Sequence, residues 1–193
     1  MTFVIATNNK GKLHEIRQVL AELNVDVISL GEAGVSIEVE ETGSTFYENA
    51  LLKAKAVCDL TGKPAIADDS GLVVEALGGE PGVNSRYYGG GHLDDEGLCK
   101  FLLKNMENRE LRAAKFVCNI VCVFPDGRIL SAVGECEGEI SHEPLGNNGF
   151  GYDPVFIPNG KNKTLAQLTR EEKNSISHRG EALREFSARM SEL

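Results

Sequence analysis

The stretch Thr7-Asn8-Asn9-Lys10-Gly11-Lys12 gathers a hydroxyl, two amides and two lysines directly after a short apolar run, Phe3–Ala6. An amphipathic helical pattern follows at once, so the stretch is predicted to lie between a strand and the first turn of a helix. Helix N-termini expose unpaired N–H groups and carry partial positive charge, which suits a phosphate. The alternative is a capping turn with two solvated lysines, because the Walker pattern of phosphate-binding loops is absent.

Carboxylates form two groups, one at Glu38, Glu40 and Glu41 and the other at Asp68-Asp69. The second group lies between an apolar strand pattern and Ser70-Gly71, where a turn is predicted to direct the acids into a cleft. Magnesium prefers carboxylate oxygens together with substrate phosphates. The alternatives are a solvated charge run for the first group and a simple turn cap for the second.

An aromatic residue flanked by glycines occurs in Gly149-Phe150-Gly151-Tyr152-Asp153-Pro154. Small neighbours would let a flat ligand approach the ring of Phe150, and Asp153 could accept an N–H at the edge of that ligand. The alternative is a loop whose aromatic side chain anchors it to the core.

The C-terminal region supplies further donors, at Lys173 and in Ser177-His178-Arg179. Lys173 and Arg179 can only donate hydrogen bonds, so they could bind a carbonyl oxygen or a phosphate. The alternatives are a solvated helix face for these two residues and a structural role for His178.

Predicted helices and strands alternate along the chain and carry these residues. One helix is predicted from Lys10 to about Leu23, and another from the capping box Thr45-Phe46-Tyr47-Glu48 to about Leu60. The alternation predicts an α/β fold with a mixed sheet and flanking helices. The other predicted elements are strands at Phe3–Ala6, Val25–Leu30, Ala65–Ala67 and Leu72–Glu75, a hairpin of Lys115–Phe124 with Arg128–Cys136, and helices from Asp94 or Asp95 to about Met106 and from Glu171 to about Met190.

Length and composition predict one domain over residues 1–193. The net charge of −9 argues against nucleic-acid binding, which needs a basic face. Five scattered cysteines without a C-x-x-C pair are typical of reduced core residues. The sequence shows no signal-peptide pattern and no apolar stretch of the ~20 residues that a membrane span needs, so we expect a cytoplasmic protein without a membrane partner.

Four stretches, taken together, resemble one family: the non-canonical purine nucleoside triphosphate pyrophosphatases, also called inosine triphosphatase-like or Ham1-like proteins. The resemblance covers essentially the whole chain, in the right order and spacing. The matching stretches are T-x-N-x-x-K at Thr7–Lys12, E-T-G-x-T-F-x-E-N-A-x-x-K-A at Glu41–Ala54, A-D-D-S-G-L followed by G-G-x-P-G-V at Ala67–Val83, and G-F-G-Y-D-P with E-K and S-H-R towards the C-terminus.

The resemblance implies hydrolysis of ITP, dITP and XTP to the nucleoside monophosphate and pyrophosphate, with Mg²⁺ as cofactor. This reaction clears deaminated purines from the nucleotide pool. The resemblance also implies an elongated α/β protein whose two lobes surround a central mixed sheet, with the substrate in a cleft, and it implies a homodimer.

Residue roles also follow from the resemblance. Asp69 would be the general base, and Glu41 and Asp69 would ligate magnesium or position water. Phe150 would stack on the purine, Ser70 would contact the substrate, and Lys53 would assist with the phosphates. The phosphates would be held by Thr7, Asn9 and Lys12, the edge of the base would be read by Asp153, Lys173, His178 and Arg179, and the substrate-binding set is completed by Asn8, Lys10, Gly11, Gly151 and Tyr152.

Base selection is predicted to depend on the purine 6-position. Inosine and xanthine carry a 6-oxo group and an N1–H, which suit a donor at Lys173 or Arg179 and an acceptor at Asp153. Adenine would leave both protein groups unpaired and desolvated, which is costly. Guanine shares the 6-oxo group and N1–H, so its rejection must depend on the 2-position.

The sequence departs from the family pattern at Ser85-Arg86-Tyr87, where S-A-R-Y is common, so Arg86 is not assigned to the site. Two alternatives are a Maf-like pyrimidine nucleoside triphosphate pyrophosphatase and a non-enzymatic nucleotide-binding module. The S-H-R and G-F-G-Y-D-P stretches argue against the first. Glu41, Asp69 and the lysines argue against the second, because a binding module need not keep a metal-activated water.

Overall fold

A computed structural model describes residues 2–21 and 25–192. Within these residues six strands form one sheet in the order β2-β1-β3-β4-β5-β6. The strands are β1 Thr2–Ile5, β2 Asp26–Ser29, β3 Ala65–Val74, β4 Ala113–Val123, β5 Ile129–Ile140 and β6 Phe156–Pro158. The helices are α1 Lys10–Leu20, α2 Phe46–Thr61, α3 Asp95–Asn105, α4 Arg170–Ile176 and α5 His178–Met190, joined by short 3₁₀ turns at Glu75–Leu77, Gly82–Tyr87, Asp153–Val155 and Leu165–Gln167.

The sheet is mixed. Strand β1 runs parallel to both β2 and β3, whereas β5 and β6 are antiparallel. The predicted α/β class with a mixed sheet and flanking helices is therefore confirmed. No helix in the described ranges is long and apolar enough to cross a bilayer.

Helix starts agree with the capping signals in the sequence. Thr45 caps α2 and forms the predicted capping box with Glu48, and Asp94 caps α3. Helix α1 ends at Leu20, and the predicted end at Leu23 lies outside the described residues.

Strand β3 corrects the prediction of a turn at Asp68-Asp69. Ala65–Val74 is one uninterrupted strand, so the two acids lie within it. Because successive side chains of a strand point to opposite faces, the two neighbouring carboxylates are directed apart. The turn-forming preference of Asp, Ser and Gly is overridden here by ion pairs on both faces, described below.

The prediction of a single C-terminal helix from Glu171 to about Met190 is also wrong. The chain forms α4 and α5, separated at Ser177, whose backbone is extended (φ −73°, ψ 152°). The apolar spacing continues across this residue, which is why the sequence pattern resembles one helix. The break makes His178 the first residue of α5.

The described residues fall into two compact units. Unit 1 comprises the described residues of Met1–Asp69, Cys118–Gly134 and Arg179–Leu193, and unit 2 comprises Ser70–Val117 and Glu135–His178. In unit 1 the sheet is buried on both faces, because Phe3 and Ile5 of β1 join one apolar cluster while Val4 and Ala6 join another. Unit 2 has its own core around Leu72, Leu102 and Phe156. The prediction of one domain over residues 1–193 stays a prediction.

The five cysteines agree with the prediction of reduced core residues. All are buried and none forms a disulfide. They are Cys58, Cys99, Cys118, Cys122 and Cys136.

Candidate active site

The stretch Thr7–Lys12 joins the carboxyl end of β1 to the start of α1. Asn9 is the N-cap of the helix, and its Oδ1 accepts hydrogen bonds from the N–H groups of Gly11 (2.9 Å) and Lys12 (3.1 Å). Thr7 Oγ1 accepts a hydrogen bond from Asn9 N–H at 3.2 Å. The side chains of Asn8 and Lys10 are exposed. The capping turn that was the alternative is therefore present, and it leaves exposed donors at a helix N-terminus.

Lys12 is not a solvated lysine. Its Nζ lies 2.8 Å from Asp68 Oδ2, and that carboxylate is inaccessible to solvent. Arg179, near the start of α5, adds a second cation, since its Nη2 and Nε lie 3.4 Å from the same oxygen. Its Nη1 donates to Glu15 Oε2 at 2.7 Å. We call Lys12, Glu15, Asp68 and Arg179 the Asp68 cluster.

The cations of this cluster decide the protonation of Asp68. Burial alone would raise the pKa of Asp68, but Lys12 and Arg179 outweigh it and hold the pKa below the ordinary range. Burial likewise acts to lower the pKa of Arg179, and Asp68 more than offsets it. Asp68 and Arg179 are therefore both ionised at neutral pH. Asp68 Oδ1 is buried and makes no hydrogen bond with any described residue.

Asp69 belongs to a separate group on the other face of β3. Lys53 Nζ lies 2.8 Å from Glu41 Oε1 and 3.1 Å from Asp69 Oδ1, so the ammonium bridges the two carboxylates. Asn49 Nδ2 lies 3.3 Å from Asp69 Oδ2. We call Glu41, Asn49, Lys53 and Asp69 the Lys53 cluster.

Helix α2 positions this group from its first two turns. Its capped start places Asn49 and Lys53 one turn apart on the same face of the helix. The Oδ1 of Asn49 also accepts the N–H of Gly43 at 2.8 Å. This contact ties the segment that follows Glu41 to the helix.

Asp69 is a weaker acid than an exposed aspartate. Burial raises the pKa of Asp69, Lys53 opposes this shift, and Glu41 adds to it. A carboxylate with a raised pKa is a better proton acceptor than one in water. Lys53 stays charged, because its carboxylate neighbours outweigh the burial that would lower its pKa.

The Lys53 cluster has the chemistry of a site for a hard divalent cation. Its ligands would be the oxygens of Glu41 and Asp69, the type that magnesium prefers. The ammonium of Lys53 already lies between Glu41 Oε1 and Asp69 Oδ1, so the placement of these two oxygens suits a shared positive charge. Among residues 2–21 and 25–192 no group of three or more His, Cys, Asp or Glu side chains could hold a metal by itself. A metal here would therefore need oxygen ligands from water or substrate.

Unit 2 carries the predicted base-binding residues. Lys173 Nζ donates to Asp153 Oδ2 at 2.6 Å and lies 4.5 Å from the ring centroid of Phe150. The same Oδ2 accepts the N–H of Phe150 at 2.9 Å. We call Phe150, Asp153 and Lys173 the Phe150 cluster. Asp153 and Lys173 are buried and the ring of Phe150 is half-buried, so an acceptor, a donor and an aromatic face lie together.

Gly149 allows the backbone of the loop to lie close to the carboxylate of Asp153. Its φ is +78°, and a Cβ at this position would lie 2.0 Å from Asp153 Oδ2. Any other residue here would therefore meet the carboxylate that binds Lys173.

Gly151 and Tyr152 are held in place by other parts of unit 2. Tyr152 is buried in the core, and its hydroxyl donates to the carbonyl of Ser85 at 2.8 Å. Gly151 N–H donates to Asp95 Oδ2 at 2.7 Å. These contacts anchor the part of the loop that contains Gly151 and Tyr152. Because the Tyr152 side chain is buried and bonded, backbone groups of this part of the loop are better suited to contact a ligand.

His178 stacks on Phe116, with ring centroids 4.7 Å apart and an interplanar angle of 11°. It is buried, as a structural histidine would be. Ser70 is half-buried in β3, directly after Asp69. Arg86 donates to the carbonyl of Leu93 at 3.3 Å.

Two contributors were missed at the sequence level. Glu15 lies three residues after Lys12 in α1, a spacing that puts both on one face, and this was the available signal. Asn49 lies four residues before Lys53 in the same relation. Asp68 was recognised as acidic but was not assigned a role.

The Ham1 family profile matches residues 3–189 of the chain. A dITP/XTP pyrophosphatase of Aquifex aeolicus is 50% identical over 195 residues, covering 96% of this chain and 95% of its own. One of Bacillus subtilis is 46% identical over 186 residues, covering 95% and 94%. Among solved structures, a HAM1 protein from Coxiella burnetii matches with a TM-score of 0.93 and 41% identity over 100% of both chains. The Staphylococcus aureus Ham1 protein gives 0.91 and 42% over 99% and 98%.

Proposed function

Because the chain belongs to the Ham1 family, we propose that it is a hydrolase of non-canonical purine nucleoside triphosphates, converting ITP, dITP and XTP to the monophosphate and pyrophosphate. Relatives named dITP/XTP pyrophosphatases, 50% and 46% identical over nearly the whole chain, support the reaction and the substrate class. The structural observation that carries the proposal is the Lys53 cluster, where a carboxylate with a raised pKa lies beside a lysine and a second carboxylate.

In the proposed reaction Asp69 accepts a proton from a water molecule that attacks the α-phosphorus. The new bond joins the water oxygen to the α-phosphorus, and the bond from this phosphorus to the bridging α–β oxygen breaks. Pyrophosphate leaves with the electron pair of that bond. Phosphoryl transfer of this kind depends mainly on positioning and charge neutralisation.

The proposed phosphate ligands are the donors at the start of α1 together with Lys12 and Lys53. The exposed helix N-terminus supplies partial positive charge, and the two ammonium groups supply full charges. Thr7, Asn8, Asn9, Lys10 and Gly11 form the remainder of this proposed set.

Glu41 and Asp69 are the proposed ligands of Mg²⁺. When bound, a divalent cation there would neutralise phosphate charge and lower the pKa of a coordinated water.

The Phe150 cluster is proposed to recognise the purine. Phe150 offers a stacking face, Lys173 a donor for the 6-oxo group, and Asp153 an acceptor for N1–H. Ser70, Gly151, Tyr152 and His178 remain proposed substrate contacts. Arg179 is proposed as a further donor to the 6-oxo group, although its guanidinium already binds Glu15 and Asp68 within the Asp68 cluster.

We also propose a cytoplasmic location and a homodimer. Five buried cysteines without a disulfide fit a reducing compartment, and the dimer rests on the family resemblance.

The test of the reaction is product analysis with ITP, with and without Mg²⁺. The proposal expects IMP and pyrophosphate in equal amounts, with turnover abolished by EDTA. IDP and inorganic phosphate as the products would contradict it, and so would faster hydrolysis of dTTP than of ITP.

A further inference from the structure

Lys53 occupies the position between two carboxylates that come from separate segments of unit 1. Glu41 precedes α2, Asp69 lies in β3, and Lys53 projects from α2 towards both. The side chain of Lys53 is 14% exposed, and those of Asp69 and Glu41 are 9% and 30% exposed. The charge interaction is therefore only partly screened by solvent.

The acidic side chains would repel one another without this ammonium. Asp68 also acts on Lys53 electrostatically, so three carboxylates contribute to its field. Lys53 thus supplies the positive charge that keeps Glu41 and Asp69 at a common centre.

We infer that Lys53 is a positioning residue that acts as an internal cation, holding Glu41 and Asp69 together in the metal-free protein and competing with a divalent metal for them. The inference rests on the proposed function, which makes these two carboxylates the metal ligands. A metal that reaches both oxygens displaces the ammonium from between them. The displaced Lys53 is then available to a phosphate oxygen. The metal therefore takes the place of the ammonium between the two carboxylates, and Lys53 moves to the phosphate.

Removal of a competing lysine and removal of a merely structural lysine should change metal binding in opposite directions. If Lys53 only supported the geometry of the site, its removal would weaken metal binding. If it competes for the carboxylates, its removal strengthens metal binding, because the two oxygens lose their internal partner and keep their charge.

The experiment is a calorimetric titration of the nucleotide-free full-length protein with Mn²⁺ alone. The variant is Lys53→Met, which keeps an unbranched side chain only one atom shorter and removes the charge. Lys55→Met is the matched control, because Lys55 lies in the same helix but is exposed and paired with Asp59. Lys53→Arg tests rescue by a conserved charge.

The expected result is a dissociation constant for Mn²⁺ about tenfold lower in Lys53→Met, a gain of about 1.4 kcal/mol. Lys55→Met and Lys53→Arg should bind Mn²⁺ as the wild type does. Unchanged, weaker or absent Mn²⁺ binding in a folded Lys53→Met protein would overturn the inference. Lys53→Gln provides a second neutral variant if the methionine variant does not fold.

Glu41→Gln separates this inference from the proposed metal site. If Glu41→Gln weakens Mn²⁺ binding in the wild-type background but Lys53→Met does not strengthen it, the metal site stands and the competition fails. If the double variant Glu41→Gln/Lys53→Met binds Mn²⁺ as tightly as Lys53→Met, the metal lies elsewhere, and the proposed site and the inference both fail.

Discussion

Each of the three lysines assigned to the substrate and partly or fully buried has a carboxylate partner. Lys12 pairs with Asp68, Lys53 with Asp69 and Glu41, and Lys173 with Asp153. A buried ammonium without a partner is costly, so these pairs offset the cost of burying the lysines before a ligand binds. A ligand must therefore replace contacts that the protein already makes. Ligands are favoured when each of their charged groups is complementary to the protein group that it meets.

Asp69→Asn should abolish most turnover while nucleotide binding persists. The amide keeps the size of the side chain but cannot accept the proton of the attacking water, a function that contributes about 10²–10⁴-fold in rate. Steady-state hydrolysis of ITP and the affinity for a non-hydrolysable ITP analogue measure the two effects separately.

The matched control for this prediction is Asp59→Asn, an exposed aspartate on α2 paired with Lys55. It should hydrolyse ITP as the wild type does. Near-wild-type turnover by Asp69→Asn would remove Asp69 from the role of general base.

Arg179→Ala should destabilise the fold more than an ordinary surface change. Removal of the guanidinium leaves Glu15 and the fully buried Asp68 without one of their partners, and the loss of one partner of a buried pair typically costs about 3–5 kcal/mol. Urea unfolding measures the difference. Arg189→Ala, an exposed position in the same helix paired with Glu185, should cost below about 1 kcal/mol.

Arg179→Ala also tests the assignment to the base. The 6-oxo role expects kcat/KM for ITP to fall much more than that for ATP in the folded variant. Equal fractional losses would assign Arg179 to the Asp68 cluster and leave selectivity to Asp153 and Lys173.

At the scale of elements, β3 shows where sequence reasoning fails and why. Asp, Ser and Gly are turn formers, so Asp68-Asp69-Ser70-Gly71 was predicted as a break. The strand continues because partners from distant segments bind both carboxylates: Lys12 of α1 on one face and Lys53 of α2 on the other. Local propensity carries no information about such long-range partners.

Elements whose boundaries depend on local chemistry were predicted well. The capping box at Thr45 and the cap at Asp94 were both read from adjacent residues, and the hairpin of β4 and β5 was read from alternation and a Pro-Asp-Gly turn. The break at Ser177 was missed because the apolar spacing continues through it. The grouping of Phe150, Asp153 and Lys173 was predicted from their types, but the direct bond from Lys173 to Asp153 was not.

Gly149→Ala should weaken ITP binding through the loop before Asp153. The added Cβ would lie 2.0 Å from Asp153 Oδ2, so the loop or the carboxylate must move. We expect a raised KM for ITP. Gly160→Ala is the control, because its φ of +74° resembles the +78° of Gly149 while no atom lies within 4 Å of its Cβ.

Both glycine variants should lose about 1–2 kcal/mol of stability from the left-handed backbone. The difference between their KM values therefore reports the contact with Asp153. A KM for Gly149→Ala equal to that for Gly160→Ala would mean that the loop does not position a base-binding carboxylate.

At the scale of the whole molecule, local cations coexist with a net charge of −9. Each compact unit has its own core, and the cysteines belong to these cores.

Burial raises the pKa of Cys99, Cys118 and Cys122 to about 12 in each case. These thiols are therefore protonated and inaccessible at neutral pH, and reactive thiolate is not expected from them.

The raised thiol pKa values predict how stability depends on alkaline pH. The folded state keeps these protons, whereas the unfolded chain releases them at the ordinary pKa of an exposed thiol. Their contribution to the free energy of unfolding is thus complete below that value and is lost as the pH rises from about 9 towards 12. Urea unfolding at pH 8, 9, 10 and 11 should show a fall that a Cys99→Ser/Cys118→Ser/Cys122→Ser variant, if folded, shows less steeply.

Native protein at pH 8 should react slowly with a thiol reagent, and the unfolded chain should titrate five thiols. Rapid reaction of several cysteines in the native protein would contradict their burial.

The proposed function depends on selectivity for purines that carry a 6-oxo group, and paired steady-state kinetics with ITP and ATP measure this selectivity. A site built around required hydrogen bonds strands buried polar groups when the wrong base binds. We expect kcat/KM for ITP to exceed that for ATP by at least ~10²-fold, with dITP and XTP on the side of ITP. Equal values for ITP and ATP, or a preference for ATP, would contradict it.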